Sequence, residues 1–209
     1  MTNYTHVVFD IDGTLLNTQQ TGMVSLQKTV KELLGVDMSL DSLYPYFGIP
    51  SHKAVEMLHF PDVRKAGERW EELFQELMFL TRPFEGVEEL LENLHQKGTC
   101  MGIITSRSRL ELETDAYMSP WMPYFTCTVC AEDCPRHKPA PDPMLLFLDR
   151  TGARPDHTLY IGDTLYDQQC AHSAGTHFAL ACWGAKNRDI PAECYLDTPL
   201  RLCNVPPVL

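Results

Sequence analysis

Two rhythms of apolar residues run along the chain. The first run, His6-Val7-Val8-Phe9, is too short for a helix and stops abruptly at Asp10. Such a pattern predicts a buried strand that delivers polar residues at its carboxyl end. From Thr21 to Phe79 the spacing becomes helical: Met23, Leu26, Val30, Leu33 and Leu34 share one face, as do Trp70, Leu73, Phe74 and Leu77. Breaks fall at Gly35, around Pro45 to Pro50 and at Pro61, and nothing in this block reads as a strand. After Thr81-Arg82-Pro83 helix and strand alternate. Val87, Leu90, Leu91 and Leu94 form a helical face stopped by Gly98, and further helices fit at 143–151 and 165–174. Strands are expected at 100–105, 127–131, 158–162 and 177–181. This alternation implies an α/β fold, a doubly wound, mostly parallel sheet with helices on both faces. The first strand belongs to that sheet, so residues 17–82 read as an inserted all-helical domain within an α/β domain of residues 1–16 and 83–209.

Composition narrows the class without changing that picture. A chain of 209 residues can bury a sizeable core, and its 44% hydrophobic and 22% charged shares are those of a soluble globular protein. No apolar run approaches the roughly 18 residues a membrane span needs. The start, MTNYTHVVFDIDG, lacks a basic region followed by a long apolar one, so a signal peptide is not expected and a cytoplasmic location is. A net charge of −11 disfavours nucleic acid as a partner, because a polyanion would be repelled. A small anionic substrate remains compatible, since local cations can outweigh a screened distant charge.

Eight cysteines raise the question of metal. Cys127, Cys130 and Cys134, with His137 nearby, could suggest zinc. On a strand, however, Cys127 and Cys130 would face opposite ways, and no further pair at zinc-site spacing completes four ligands. They read instead as small buried hydrophobes, reduced in a reducing compartment.

Four short stretches follow expected strands, where open parallel sheets gather ligands: Asp10-Ile11-Asp12-Gly13-Thr14, Thr105-Ser106, Lys138-Pro139 and Gly162-Asp163 with Asp167 beyond. Singly, each also fits a turn, a helix cap or a surface loop. Together they would crowd four carboxylates, which raises at least one pKa unless cations compensate. An oxygen-only donor set suits Mg²⁺. Lys138 would supply a point charge for phosphate, and Thr105 and Ser106 donors at a helix start.

The set FDIDGT, IITS, HKPAPDP and IGDTLYD resembles, in order and spacing, the four motifs of the haloacid dehalogenase superfamily. GDTLYDQQCAHSAG and Cys182-Trp183-Gly184 look like its phosphoglycolate phosphatase branch, so the likeness spans nearly the whole chain. The resemblance implies a Rossmann-like core with a helical cap and a Mg²⁺-dependent phosphatase. In that reading Asp10 is the nucleophile that forms an aspartyl-phosphate, and Asp12 the general acid and base. Asp10, the Asp12 carbonyl and Asp163 hold Mg²⁺, supported by Asp167, while Thr105, Ser106 and Lys138 hold the phosphoryl group. The acidic residue at position 12 favours phosphoryl chemistry, because dehalogenating members have no leaving oxygen to protonate. Cap closure would exclude water, with Phe47 to Lys53 resembling a loop that dips toward the site, so His52 and Lys53 are specificity candidates against the reading of a solvated turn.

Departures from the branch pattern keep alternatives open. Asn17-Thr18 stands where many relatives carry Asp-Ser or Asp-Thr, and pyrophosphatases of the branch can show Asn-Thr. Gly22 stands where sugar-phosphate mutases carry His, which weakens a mutase reading. The leading expectation is a phosphatase of a small phosphorylated metabolite such as phosphoglycolate, ahead of pyrophosphatase, mutase and a non-catalytic binding module. Phosphate release with and without Mg²⁺, on esters and on pyrophosphate, separates these.

Overall fold

The computed structural model describes residues 4–46 and 51–204, apart from the side chains of Ser51, His52 and Asn204. The chain divides into two compact units, residues 1–16 with 83–209 and residues 17–82.

The larger unit is built on six parallel strands: β1 (His6–Phe9), β4 (Cys100–Ile104), β5 (Phe125–Val129), β6 (Thr158–Gly162), β7 (His177–Ala181) and β8 (Cys194–Leu196), in the order β5-β4-β1-β6-β7-β8. Period-2 alternation sorts their side chains into two layers. Val7, Phe9, Met101, Ile103, Leu159 and Ile161 join one buried cluster, and Val8, Ile104, Tyr160, Phe178 and Leu180 the other. Helices cover both faces, as a sheet buried on both sides requires. Val87, Leu90, Leu91 and Leu94 of α5 (Val87–Gln96) pack into the first cluster. Met144 and Phe147 of α8 (Asp142–Thr151), with Cys170 and Ala171 of α9 (Leu165–Ser173), pack into the second. Full burial of a side chain such as Phe147 or Leu91 contributes roughly 1.5–3 kcal/mol.

The order runs outward from β1 in one direction to β4 and β5, then returns to β6 on its other side. The reversal falls between β1 and β6, where doubly wound sheets open a crevice at their carboxyl ends. Between β4 and β5 lie two short helices, α6 (Arg109–Thr114) and α7 (Met118–Trp121).

The smaller unit is helical: α1 (Gln19–Leu34), α2 (Leu40–Leu43), α3 (Ser51–Met57) and α4 (Val63–Glu76). Met23, Leu26 and Val30 of α1 meet Leu43, Val55, Phe60 and Ala66 in its core, with Trp70 packed against them. Gly35, at φ 69°, ends α1 in the left-handed turn that a residue with a Cβ adopts at a cost. Asp62 caps α4 by accepting from the Lys65 amide at 3.0 Å. Where the chain passes from one unit to the other, β2 (Leu16–Asn17) and β3 (Arg82–Pro83) pair in a two-stranded sheet.

Several details depart from the sequence expectation. β5 runs Phe125–Val129 rather than 127–131, so Cys130 lies beyond its end. A register shift at Met101/Gly102 accompanies its pairing with β4. β8 had no sequence signal, being three residues long at the sheet edge. Cys130 joins the first buried cluster while Cys127 and Cys134 sit with the second, so the three thiols are parted by the sheet. Among the described residues no helix is long and apolar enough to cross a membrane.

Candidate active site

Asp10 follows β1 directly, and its amide continues the ladder by donating to the Ile161 carbonyl at 2.9 Å. The chain then turns sharply, with Gly13 at φ 87°. A Cβ on Gly13 would lie 2.2 Å from an Asp163 carboxylate oxygen, so glycine is what lets the first turn and the end of β6 meet. Gly184 makes the matching approach from the loop after β7, where a Cβ would lie 1.7 Å from the Gly13 carbonyl oxygen. Trp183 secures that loop by donating from Nε1 to the Thr14 carbonyl at 2.8 Å.

Asp10, Asp163 and Asp167 each bring a carboxylate oxygen within 4.8 Å of the others. Lys138, from the loop before α8, donates to Asp10 Oδ1 and Asp167 Oδ1, both at 2.7 Å. Tyr160 supports this pairing from beneath: its hydroxyl lies 3.1 Å from Asp167 Oδ1, 3.2 Å from the Ile104 carbonyl and 3.3 Å from Lys138 Nζ. Asp167 is fully buried, and its Oδ2 accepts from the Thr164 amide and hydroxyl in a capping box that starts α9. Thr14 Oγ1 donates to Asp163 Oδ1 at 3.3 Å.

This cluster is short of positive charge. Burial, only partly offset by Lys138, pushes the Asp10 carboxyl up to about 7, with Asp167 and Asp12 adding to the rise. Burial and the neighbouring Asp167 and Asp10 raise Asp163 well above the usual carboxylate range. For Lys138, burial alone would weaken the ammonium's hold on its proton, but Asp10 and Asp167 reverse the shift upward. Lys186, in the loop after β7, is drawn down to about 8 by desolvation, against the pull of Asp163.

Asp12 joins a different cluster. Arg107 Nε and Nη2 donate to its Oδ2 and Oδ1 at 2.8 and 2.6 Å, and Arg107 Nη1 donates to Asp115 Oδ2 at 2.7 Å.

Thr105 is buried at the end of β4, where its Oγ1 accepts from the Arg107 amide at 3.1 Å, while Ser106 is exposed. Neither begins the expected helix. Ser108 and Glu111 form a capping box, and the two donors this satisfies place the start of α6 at Arg109. Lys53 is an exposed residue of α3 in the helical unit; Phe47 to Pro50 and the His52 side chain lie outside the described residues. Asn17 has a local role, since its Oδ1 accepts from the Gln19 amide at 3.3 Å beside the start of α1.

Sequence reasoning missed Arg107, Asp115, Tyr160 and Lys186. Tyr160 alternates correctly as a strand residue and is indistinguishable there from a core aromatic. Arg107 carried one unread signal, its place just beyond Thr105-Ser106 at a strand end.

The family model for haloacid dehalogenase-like hydrolases matches residues 7–181, from β1 to the last residue of β7. The chain belongs to this family. Among curated members, a pyrophosphatase PpaX from Bacillus mycoides is 27% identical over 190 residues, covering 87% of this chain and 85% of that protein. A phosphoglycolate phosphatase from Xylella fastidiosa is 27% identical over 202 residues, covering 92% and 86%. Of solved structures, a candidate phosphoglycolate phosphatase of Lactobacillus plantarum superposes with a TM-score of 0.86 at 28% identity, covering 97% of this chain and 99% of that one. This haloacid dehalogenase-like hydrolase thus shares its fold with the Lactobacillus plantarum protein over nearly the full length of both.

Proposed function

We propose that this hydrolase is a Mg²⁺-dependent phosphatase of small phosphate monoesters that works through a phosphorylated Asp10. The observation that carries the reading is the placement of Asp10 at the end of β1, against Lys138 at 2.7 Å and within reach of Asp163 and Asp167. A nucleophilic carboxylate, a fixed cation and further oxygen ligands then share one crevice.

The donor set fits magnesium. Three carboxylates offer hard oxygen ligands, and the raised proton affinities of Asp10 and Asp163 are those of groups that gain by sharing a divalent cation. Both Asp167 oxygens already accept hydrogen bonds from Lys138, Tyr160 and Thr164, which suits a supporting residue. Asp10 and Asp163, with the Asp12 carbonyl, would hold the ion directly. When bound, Mg²⁺ supplies charge neutralisation and a template for the transferring phosphoryl group.

The chain's own residues do the rest. A carboxylate oxygen of Asp10 forms a bond to phosphorus as the bond from phosphorus to the ester oxygen breaks, and Asp12 gives its proton to that departing oxygen. Asp12, now a carboxylate, takes a proton from water, whose oxygen attacks phosphorus; the bond to Asp10 breaks and inorganic phosphate leaves. Proton transfer of this kind is worth roughly 10²–10⁴-fold. Lys138, Thr105 and Ser106 hold the phosphoryl oxygens, and residues 17–82 serve as a cap whose His52 and Lys53 bear on specificity.

The relatives' names support two substrate readings, a phosphomonoester such as phosphoglycolate and inorganic pyrophosphate. The resemblance of GDTLYDQQCAHSAG and Cys182-Trp183-Gly184 to the phosphoglycolate phosphatase branch favours the monoester, so that reading leads. Phosphate release from phosphoglycolate, a sugar phosphate and pyrophosphate, with and without Mg²⁺, tests both. Mg²⁺-dependent release favouring an ester supports the proposal; preference for pyrophosphate transfers it to the second reading; and no release from any of them contradicts it.

A further inference from the structure

Arg107 is a buried cation just outside the loop that carries the proposed nucleophile and acid, and nothing in the proposed chemistry yet uses it. Its guanidinium is clamped from both ends. On the inner side, Nη1 donates to Asp115 Oδ2 at 2.7 Å, and Asp115 is itself fixed, its Oδ1 accepting from the amides of Tyr117 and Met118 at 2.8 and 3.0 Å. On the outer side, Nε and Nη2 each take one oxygen of Asp12. The backbone is tied as well, the amide to Thr105 Oγ1 at 3.1 Å and the carbonyl accepting from Ala131 at 2.9 Å.

Exposure shows which way this support runs. The side chains of Arg107 and Asp115 are 7% and 2% exposed, and that of Asp12 is 35% exposed. Rigidity therefore passes from the interior, through a planar fork, to the one carboxylate that opens outward. A cation serving only the core would be matched by Asp115 alone. Burying a guanidinium is costly unless its partners are well placed, so the second pairing needs a reason of its own.

Resting on the phosphatase reading above, we propose that Arg107 is a positioning residue for Asp12: its fork fixes the plane and location of the carboxyl that passes a proton to the departing ester oxygen. A fork contact occupies one acceptor position on each Asp12 oxygen and leaves another on each for the proton in flight. Positioning of this kind demands arginine. A lysine at 107 would keep the charge but hold Asp12 at one point, leaving its plane to rotate.

The test measures single-turnover phosphorylation of the Mg²⁺-supplemented enzyme with nitrophenyl phosphate, whose leaving group needs little protonation, and with glycerol phosphate, which needs much. Arg107→Lys is expected to slow the alkyl ester by roughly 10–100-fold, the scale of a lost supporting partner, and the aryl ester by less than about 3-fold, with KM little changed for either. Asp115→Asn should shift the ratio the same way by a smaller factor. It also provides a second variant should Arg107→Lys lower the thermal midpoint too far. In the Asp12→Asn background, Arg107→Lys should add nothing further, because the group it positions is already disabled. Equal losses on the two esters, or full additivity with Asp12→Asn, would overturn the proposal and leave Arg107 a structural ion-pair partner. A wild-type enzyme that releases phosphate from neither of these esters, nor from phosphoglycolate, a sugar phosphate or pyrophosphate, would overturn the phosphatase reading and this proposal with it; an active wild type with equal losses overturns this proposal alone.

Discussion

Asp10 and Asp12 are separated by one buried residue, Ile11, yet their carboxylates belong to charge clusters of different kinds. Around Asp10 stand Asp163 and Asp167 with Lys138 as the cluster's cation, and the proton affinities of Asp10 and Asp163 rise, to about 7 for Asp10 itself. Around Arg107 stand Asp12 and Asp115, each paired by close hydrogen bonds. A third kind of polar interior occurs in the helical unit, where Thr21 Oγ1 meets Thr81 Oγ1 at 2.8 Å and Trp70 Nε1 donates to Ser25 Oγ at 2.9 Å, all without charge. The contrast teaches where the fold tolerates electrostatic imbalance. Neutral pairs suffice to satisfy an interior; a guanidinium shared by two carboxylates adds geometry; a pocket of three carboxylates with one ammonium gains from a further cation.

The largest expected effect separates the first two clusters. Asp10→Asn should abolish turnover, by on the order of 10⁴-fold or more, because the amide is a poor nucleophile. Its thermal midpoint should be unchanged or higher, since it removes a charge from an acid-rich pocket. A folded variant that keeps substantial Mg²⁺-dependent phosphate release would break the comparison at its root. Next in size, Asp12→Asn should slow phosphorylation by alkyl phosphates by roughly 10²–10⁴-fold and by aryl phosphates much less. Equal losses in single-turnover experiments would remove Asp12 from proton transfer.

The third expectation is thermodynamic. The Asp10 carboxyl lies above its ordinary 3.8, so the folded state holds the proton more tightly than the unfolded chain. Without divalent metal, stability should therefore fall as pH rises from about 4 to about 7. Mg²⁺ needs the bare carboxylates, so its stabilisation should be small near about pH 5 and largest above about pH 7, reaching about 2.7 kcal/mol at a hundredfold excess over its dissociation constant. Thermal unfolding with and without Mg²⁺ across that range checks it, and a midpoint indifferent to Mg²⁺ at alkaline pH would contradict the metal site. The smallest effect belongs to the neutral interior. Thr81→Val should cost about 1–3 kcal/mol by orphaning the Thr21 hydroxyl, and the double change with Thr21→Val should cost less than the sum. Strict additivity, read from denaturant unfolding, would mean that this pair is not a unit.

The sequence made the sheet legible because buried parallel strands leave short apolar runs, as at Val7 to Phe9 and Leu159 to Ile161. Proximity of Asp10, Lys138, Asp163 and Asp167 was legible for a related reason: parallel strands end on one side, so residues following them gather there. What escaped was pairing set by tertiary structure. Arg107 meets Asp12 across 95 positions of sequence, a distance over which no local period carries information. Tyr160 hid in an alternating strand, and β8 in three residues with nothing to distinguish them from loop. The start of α6 was misplaced because Thr105-Ser106 and Ser108 are equally plausible caps until the Glu111 partner is counted.

The bond between Asp10 and phosphorus can be observed directly. Wild-type enzyme and Asp12→Asn should be mixed with a phosphate monoester and Mg²⁺, quenched in acid within one turnover, and digested for mass spectrometry. Slowed release of the intermediate should make it accumulate in Asp12→Asn when an aryl phosphate is used, because the first step then needs little acid and the second still needs the base. One added phosphoryl group is expected on the peptide spanning His6 to Leu16, localised to Asp10 and absent from Asp10→Asn. Phosphate release by an enzyme that never carries the group, or that carries it on another residue, would contradict it.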